Sequence, residues 1–173
     1  MKLFTPSYYI HRFDALRVDL LKEKGIKLLF CDIDNTLVAH DEALPSKEAY
    51  AFIHKIINAG IQVVFVSNNK EQRVKTFADA FQLPYHAMSL KPLPFTYQKM
   101  MKLYPYQKHE IAVLGDQIMT DMIGANLCGF YTILCEKVVE RDLNCTKVNR
   151  IFENMVFQYL KASKKLVKGE YDE

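Results

Sequence analysis

A short apolar run that ends in two aspartates constrains the fold of this chain more than any other feature of its sequence. Residues 28–31 and Ile33 are apolar without helical alternation, and polar residues at 34–36 end the run. This pattern is typical of a strand buried on both faces of a parallel sheet. Asp32 and Asp34 would then lie at the carboxyl end of that strand, where open α/β sheets bind ligands. Because buried carboxylates are unfavourable without a cation or hydrogen bonds, the pair predicts a metal site.

An Asp-x-Asp pair by itself is equally compatible with a turn or a helix N-cap. A functional site is favoured by three more polar clusters, each of which follows an apolar segment. These clusters are Ser67-Asn68-Asn69, Lys91, and Gly115-Asp116 with Thr120-Asp121. Taken alone, Lys91 would also fit a surface position before a helix, but Pro92 disfavours helical geometry there and lets the ammonium group point into the crevice. Together the clusters predict one site at one edge of a sheet.

Strands and helices alternate along the chain. Predicted strands cover residues 28–33, 61–66, 84–87, 111–114 and 130–134. Apolar residues at helical spacing predict helices between them, which begin at Pro45-Ser46, Glu71, Pro94 and about Met119. This alternation predicts the α/β class, with a doubly wound parallel sheet.

The N-terminal segment carries an apolar stripe that predicts an amphipathic helix over 6–24, ended by Gly25. The stripe consists of Tyr9, Phe13, Leu16 and Leu20, at spacings of four, three and four. The helix has two interpretations. It packs across the sheet, or it docks on an anionic membrane surface or a partner, with Lys2, Arg12 and Arg17 beside its aromatic residues.

Length and composition narrow the class of protein. The 173 residues predict one domain, 1–173, with its core in 27–135 and a C-terminal helix over 151–168. A net charge of +3 is too small to imply nucleic acid, and no RNA-binding motif is present. The four cysteines form no Cys-x-x-Cys pair, and no signal peptide or membrane span is recognised, so we expect a cytoplasmic protein, soluble or peripheral at a membrane. The oligomeric state is left open.

In order and spacing, the polar clusters resemble the four motifs of the haloacid dehalogenase (HAD) superfamily of phosphatases. The matching residues are Asp32-x-Asp34-x-Thr36, Ser67, Lys91 and Gly115-Asp116-x-x-x-Thr120-Asp121. The resemblance runs from Lys27 to about Leu134. More narrowly, residues 25–37, with Asn35 after the second aspartate, are similar to the YqeG branch of subfamily IIIA. Eukaryotic relatives of that branch are mitochondrial phosphatidylglycerophosphate phosphatases.

The resemblance implies a role for each motif residue in phosphate ester hydrolysis. Asp32 would be the nucleophile that forms an aspartyl-phosphate, and Asp34 the general acid and then the general base. Lys91 would neutralise charge on the nucleophile and on the transferred group. Mg²⁺ would be held by Asp32, Asp116 and the backbone carbonyl of Asp34.

The remaining motif residues are assigned to supporting roles by the same resemblance. Ser67, Asn68 and Thr36 are predicted to bind the substrate phosphate, with Thr36 also able to orient Asp34. Asp121 is predicted to brace Lys91 or the waters of the metal.

The spacing between motifs indicates an open crevice. About 30 residues separate Thr36 from Ser67 and about 20 separate Ser67 from Lys91, which leaves no room for a cap domain. An open site suits a phosphate on a large or surface-bound molecule, and the resemblance suggests phosphatidylglycerophosphate. The alternatives are a capless phosphatase of a phosphoprotein, a nucleic-acid end or a soluble metabolite, and a non-catalytic interaction module.

Overall fold

A six-stranded parallel β-sheet is the centre of the fold in the computed structural model, which describes residues 3–139, 147–163 and 166. The strands are β1 (Tyr8–Ile10), β2 (Leu28–Cys31), β3 (Gln62–Val66), β4 (Tyr85–His86), β5 (Ile111–Gly115) and β6 (Tyr131–Cys135). Their order across the sheet is β1-β6-β5-β2-β3-β4. This is the doubly wound parallel sheet that the sequence predicts.

The central strands β2 and β5 lie where the winding of the chain reverses. From β2 the chain continues to β3 and β4 on one side, and it then returns to β5 and β6 on the other. A crevice forms between the carboxyl ends of the strands at such a reversal. Asp32 directly follows β2 and Asp116 directly follows β5, so both aspartates lie at this crevice.

Helices cover both faces of the sheet. On one face lie α1 (Val18–Glu23), α2 (Lys47–Asn58) and α3 (Glu71–Asp79), and on the other lie α4 (Pro94–Met101) and α5 (Ile123–Cys128). Ser46 caps α2, because its side chain accepts a hydrogen bond from the backbone N–H of Ala49 at 3.1 Å. The predicted helices are therefore confirmed in this part of the chain, with small differences at their ends.

Strand β2 is buried on both of its faces, as its unbroken apolar run predicts. Leu29 and Cys31 pack on the side of α2 and α3, whereas Leu28 and Phe30 pack on the side of α4 and α5. All four side chains are inaccessible to solvent. Because side chains alternate along a strand, this one segment contributes to two separate cores.

The N-terminal segment differs from its prediction. Instead of one helix over 6–24, it forms β1, a single 3₁₀ turn (Phe13–Ala15) and the short α1. The helix prediction is wrong because residues 8–10 pair in parallel with β6 and complete that edge of the sheet. The apolar stripe is nevertheless buried, with Tyr9, Phe13 and Leu16 each only 1% exposed. These side chains belong to the core, so they do not form a membrane-docking face.

The C-terminal helix α6 spans Lys147–Ala162, so it begins before the predicted position 151. Leu160 and Leu166 pack with Tyr9 of β1 and Leu134 of β6. The remainder of the predicted helix, at 164, 165, 167 and 168, lies outside the described residues, and so does Cys145. No helix in the described ranges is long and apolar enough to cross a membrane.

Candidate active site

A tight turn after β2 arranges the first polar residues of the site. Asn35 has a φ of 65°, in the left-handed region that asparagine adopts more readily than most residues. The backbone N–H of Leu37 donates to the carbonyl of Ile33 at 2.9 Å, and that of Asn35 donates to the carbonyl of Val38 at 2.7 Å. The turn reverses the chain, which brings Thr36 back beside Asp32.

The ammonium group of Lys91 lies at the centre of the site. Its Nζ donates to Asp32 Oδ1 at 2.6 Å, to Asp121 Oδ1 at 2.6 Å and to the carbonyl of Val66 at 2.9 Å. These three bonds use all the donors of an ammonium ion. Lys91 is 6% exposed and Asp121 is 1% exposed, so the charges are paired away from water. The predicted bracing of Lys91 by Asp121 agrees with this geometry.

Thr36 links the carboxylates that follow β2 and β5. Its hydroxyl lies 3.0 Å from Asp32 Oδ2 and 3.1 Å from Asp116 Oδ1, and its side chain is fully buried. A hydroxyl has one proton, which these two acceptors share. Thr36 therefore sets the separation of two aspartates, and its side chain has no access to a substrate phosphate. The prediction that Thr36 binds phosphate is not supported, because the turn at Asn35 directs its hydroxyl towards the carboxylates of Asp32 and Asp116.

The carboxylates at the crevice fit a divalent cation. Asp32, Asp116 and Asp121 each place one oxygen within 4.8 Å of the others. Both oxygens of Asp121 already have donors, from Lys91 and from the backbone N–H of Gln117. Asp116 Oδ2, in contrast, is buried without a hydrogen-bond partner among the residues that the structure describes. A buried acceptor of this kind and a set of hard oxygen donors are what a divalent cation such as Mg²⁺ requires.

Burial and mutual repulsion shift the titration of these groups. Burial raises the pKa of Asp32 to about 7, although the neighbouring Lys91 ammonium lowers it. Burial, and then the charges of Asp32 and Asp121, raise the pKa of Asp116 well above its usual range. For Lys91, burial favours the neutral amine, but Asp121 and Asp32 outweigh it and the pKa is raised. The lysine stays charged, and a further cation beside the two aspartates would favour their ionised forms.

Asp34 lies in a separate cluster of hydrogen-bond donors. Its Oδ2 accepts from the hydroxyl of Ser67 at 3.3 Å and from the side-chain amide of Asn69 at 3.2 Å. Its Oδ1 accepts from the guanidinium of Arg73 at 2.9 Å. The other guanidinium nitrogen of Arg73 donates to the carbonyl of Ala43 at 3.1 Å. These donors hold the Asp34 side chain between the loop after β3 and the first turns of α3.

Arg73 is the residue of the site that the sequence motifs did not indicate. It lies on α3, where a charged side chain between apolar positions is the usual pattern of a solvated helix face. Its side chain is only 15% exposed, and its Nε is buried without a partner in the structure. The one available signal was its position four residues after Asn69, on the first turns of a helix that starts at the crevice.

Asn68 positions the Lys91 segment. Its side-chain Oδ1 accepts from the backbone N–H of Lys91 at 2.7 Å, and its Nδ2 donates to the carbonyl of Lys91 at 2.9 Å. Ser89 donates to the same Oδ1 at 3.1 Å. The predicted binding of phosphate by Asn68 stays a prediction, because its Nδ2 has a second N–H and the residue is exposed. A phosphate role for Ser67, which lies beside Asp34 and is 2% exposed, stays a prediction.

Two glycines permit the close packing around Lys91. A Cβ on Gly115 would lie 2.4 Å from Cγ of Asp121, so the carboxylate that pairs with Lys91 needs glycine at this position. A Cβ on Gly124 would lie 2.5 Å from the carbonyl oxygen of Pro92 and 3.0 Å from the ring of Tyr97. The start of α5 therefore supports the segment that carries Lys91.

Comparisons of the sequence with known proteins identify a phosphatase family. Residues 1–140 match the family model described as mitochondrial PGP phosphatase. The chain is also 31% identical over 160 residues to a protein of Bacillus subtilis (strain 168) named "Probable phosphatase YqeG". That alignment covers 92% of this chain and 93% of the relative.

Solved structures show the same fold. The cobalt-bound deoxy-D-mannose-octulosonate 8-phosphate phosphatase YrbI of Haemophilus influenzae superposes with a TM-score of 0.52 at 17% identity, over 82% of this chain and 93% of that one. An uncharacterised protein of Listeria monocytogenes serotype 4b gives a TM-score of 0.54 at 15% identity, over 77% of this chain and 99% of that one.

Proposed function

The chain belongs to the mitochondrial PGP phosphatase family, the YqeG branch of the HAD phosphatases, and on this premise we propose that it hydrolyses phosphatidylglycerophosphate. The proposed reaction is Mg²⁺-dependent and passes through a phosphate ester on Asp32. The observation that carries the mechanism is the contact of Asp32 with Lys91 at 2.6 Å beside the unpartnered oxygen of Asp116. A nucleophile, a fixed cation and a vacant acceptor then lie together at the crevice.

In the first step, an oxygen of Asp32 attacks the phosphorus and the bond from phosphorus to the alcohol oxygen breaks. Two negative groups must approach each other, so positive charge is needed where they meet. Lys91 supplies part of it, and Asp121 and the carbonyl of Val66 keep its ammonium beside Asp32. A bound Mg²⁺, held by Asp32, Asp116 and the backbone carbonyl of Asp34, would supply the remaining charge neutralisation.

Asp34 handles the protons of both steps. It gives a proton to the departing alcohol oxygen, and it then takes one from the water that attacks the phosphorus on Asp32. The second attack releases inorganic phosphate and restores the Asp32 carboxylate. Three donors occupy three of the four lone pairs of the Asp34 carboxylate, two on Oδ2 and one on Oδ1, so the second lone pair of Oδ1 can take the proton.

The substrate is proposed from the family and from the access to the site. The family description names PGP, the abbreviation of phosphatidylglycerophosphate. Between Thr36 and Ser67 the chain contains one helix and one strand, α2 and β3, and between Ser67 and Lys91 it again contains only α3 and β4. Neither segment contains a cap domain, so the crevice can meet a phosphate that stands at a bilayer surface.

Phosphate release from vesicles tests the proposal. Phosphatidylglycerophosphate in phosphatidylcholine vesicles is compared with glycerol 3-phosphate and an aryl phosphate, with Mg²⁺, with EDTA and with Ca²⁺. We expect rapid release from the lipid with Mg²⁺, none with EDTA, and inhibition by Ca²⁺, whose larger coordination shell would engage both oxygens of Asp32. The Asp32→Asn variant serves as the blank for contaminating phosphatases.

The alternatives appear as distinct outcomes of the same assay. Turnover of the soluble phosphates that equals or exceeds lipid turnover would assign the protein to a soluble substrate. No release from any substrate, including the aryl phosphate, would favour a non-catalytic interaction module.

A further inference from the structure

Exposed apolar side chains surround the segment that carries Lys91. Met88 is 65% exposed, Leu90 is 58% exposed and Leu93 is 44% exposed. We call these three residues the apolar rim. A single exposed apolar side chain is ordinary, but a group beside a functional crevice marks an interaction surface. The rim is continuous with the site, because Lys91 lies within it and reaches Asp32 at 2.6 Å.

The backbone of the rim is fixed by hydrogen bonds to the site. The N–H of Met88 donates to the carbonyl of Asn69 at 3.0 Å, and that of Ser89 donates to the carbonyl of Ser67 at 3.1 Å. The N–H of Leu93 donates to the carbonyl of Leu90 at 3.0 Å, which closes a turn around Lys91. Ser89 and Lys91 are each 6% exposed, so buried polar residues alternate with exposed apolar ones. The backbone of the rim is therefore held in one conformation by its hydrogen bonds to residues of the polar site.

The conformation of the rim does not explain its residue types. Met88 has a φ of 47° and Leu90 a φ of 57°, in the left-handed region that favours glycine and asparagine. A leucine or methionine there is strained, and its exposed side chain gains nothing from the core. Neither folding nor solubility favours these residues at these positions.

We propose that the apolar rim inserts into the interfacial region of a lipid bilayer and seats the crevice on its substrate. The proposal rests on the proposed function, because a lipid phosphate presents its monoester at the headgroups while its acyl chains stay in the bilayer. Side chains of this kind bind at that boundary through their apolar area. Lys70, which is exposed, directly follows Asn69, whose carbonyl accepts from the N–H of Met88, and it offers a cation to an anionic headgroup.

The charges around the crevice limit the electrostatic part of this binding. Asp41 and Glu42 are exposed on the loop that also carries Ala43, whose carbonyl binds Arg73 across the site. Acidic and basic groups therefore both face the surface at this edge of the sheet. We expect binding that depends mainly on the apolar rim and only weakly on salt.

Asparagine substitutions remove the apolar surface with little risk to the fold. The double variant Met88→Asn and Leu90→Asn places a polar residue that tolerates positive φ at both strained positions. Leu103→Asn is the matched control, because Leu103 is 59% exposed and lies just after α4, outside residues 88–93. Each protein is assayed for sedimentation with phosphatidylcholine–phosphatidylglycerol vesicles, for turnover of phosphatidylglycerophosphate in those vesicles, and for turnover of a soluble aryl phosphate.

The expected result is a loss of vesicle binding and of vesicle turnover by about tenfold or more in the double variant. Its turnover of the aryl phosphate stays at the wild-type value, and Leu103→Asn behaves as wild type in all three assays. Wild-type sedimentation of the double variant would overturn the proposal, and so would an equal loss of aryl phosphate turnover. Self-association of the wild type that the double variant abolishes, with vesicle binding unchanged, would assign the rim to a second copy of the chain.

Failure of the proposed function gives a different result. If the wild type hydrolyses the aryl phosphate but not the lipid, the substrate assignment fails. Sedimentation of the wild type and the double variant with vesicles still decides whether the rim binds a bilayer.

Discussion

Asp32 and Asp34 are separated by one residue, yet they lie in opposite electrostatic surroundings. Asp32 shares the ammonium of Lys91 with Asp121 and has Asp116 beside it, and the charge of Lys137 also acts on Asp116. Asp34 has the guanidinium of Arg73 and two neutral donors to itself. Carboxylates outnumber cations in the first region, whereas Asp34 has one cation beside it. A further cation is therefore needed beside Asp32.

The tight turn after β2 produces this difference. In a continued strand residues 32 and 34 would share one face, but β2 ends at Cys31 and Asn35 has a φ of 65°, so the two carboxylates reach different partners. Asp32 faces β5 and the Lys91 segment, whereas Asp34 faces the start of α3. Two carboxylates of one motif thus acquire separate functions from their surroundings.

The largest expected effect is that of Asp32→Asn. A carboxamide has nearly the same volume but is neither a nucleophile nor a good ligand for Mg²⁺, so turnover should fall by more than about 10³-fold. Phosphate release measures the loss, and thermal unfolding checks that the fold is kept. Near-normal turnover would show that Asp32 is not the nucleophile, and the proposed difference in function between Asp32 and Asp34 would fail.

Lys91→Ala tests the shortage of positive charge at Asp32. Removal of the ammonium leaves Asp32 and Asp121 buried without their cation, so we expect strongly reduced turnover and a loss of roughly 3–5 kcal/mol in the free energy of unfolding. Denaturant unfolding and phosphate release measure the two effects. Lys70→Ala, at an exposed lysine of the same edge, is the control and should change stability by less than about 0.5 kcal/mol. An unfolding free energy that is equal in both variants would contradict the account.

The pH dependence of metal binding tests the same region without substitutions. Burial raises the pKa of Asp32 to about 7 and that of Asp116 above its usual range, so the metal-free site carries protons that a cation must displace. Affinity for Mg²⁺ should then fall as the pH decreases below about 7, by about tenfold per unit for each proton displaced. Calorimetry in buffers of different ionisation enthalpy measures the released protons. Binding at pH 6 without proton release would show that the carboxylates were already ionised.

The smallest expected effect is that of Arg73→Lys, which tests the second region. Lysine keeps the charge but cannot bind Asp34 and the carbonyl of Ala43 through a rigid fork. Because Asp34 is then held less well, turnover should fall by roughly tenfold while the affinity for Mg²⁺ is unchanged. Steady-state kinetics and metal titration measure the two quantities. A fall in metal affinity as large as the fall in turnover would show that the surroundings of Asp34 and of Asp32 are not independent.

Sequence patterns predicted the sheet and the four motifs because their causes are local. The unbroken apolar run of β2 and the polar residues behind β2, β3 and β5 are visible within segments of a few residues. The N-terminal strand was missed because its partner, β6, lies more than 120 residues away, as the bond from Ser7 N–H to Thr132 at a separation of 125 shows. The apolar spacing of that segment is helical, yet pairing with an open sheet edge determines its conformation.

The sequence indicated which residues form the site better than it indicated which partners each of them contacts. Nothing local to Thr36 or Asn68 indicates that one side chain would link two aspartates and the other would hold the backbone of Lys91. Arg73 has the sequence context of a surface residue, and only the packing of α3 beside the crevice brings it to Asp34. Motif positions therefore identify the residues, whereas tertiary packing determines which of them face the substrate.

The central claim is that Asp32 carries the phosphate and Asp34 handles the proton. The Asp34→Asn variant, mixed with an activated aryl phosphate and Mg²⁺ and then quenched in acid, tests it most directly. An aryl leaving group needs no proton, so the first step should proceed while the second, which lacks its base, should stall. Mass spectrometry of the quenched peptides should find the phosphate on Asp32. Phosphate on any other residue, or no labelled protein although the substrate is consumed in a single turnover, would contradict the account.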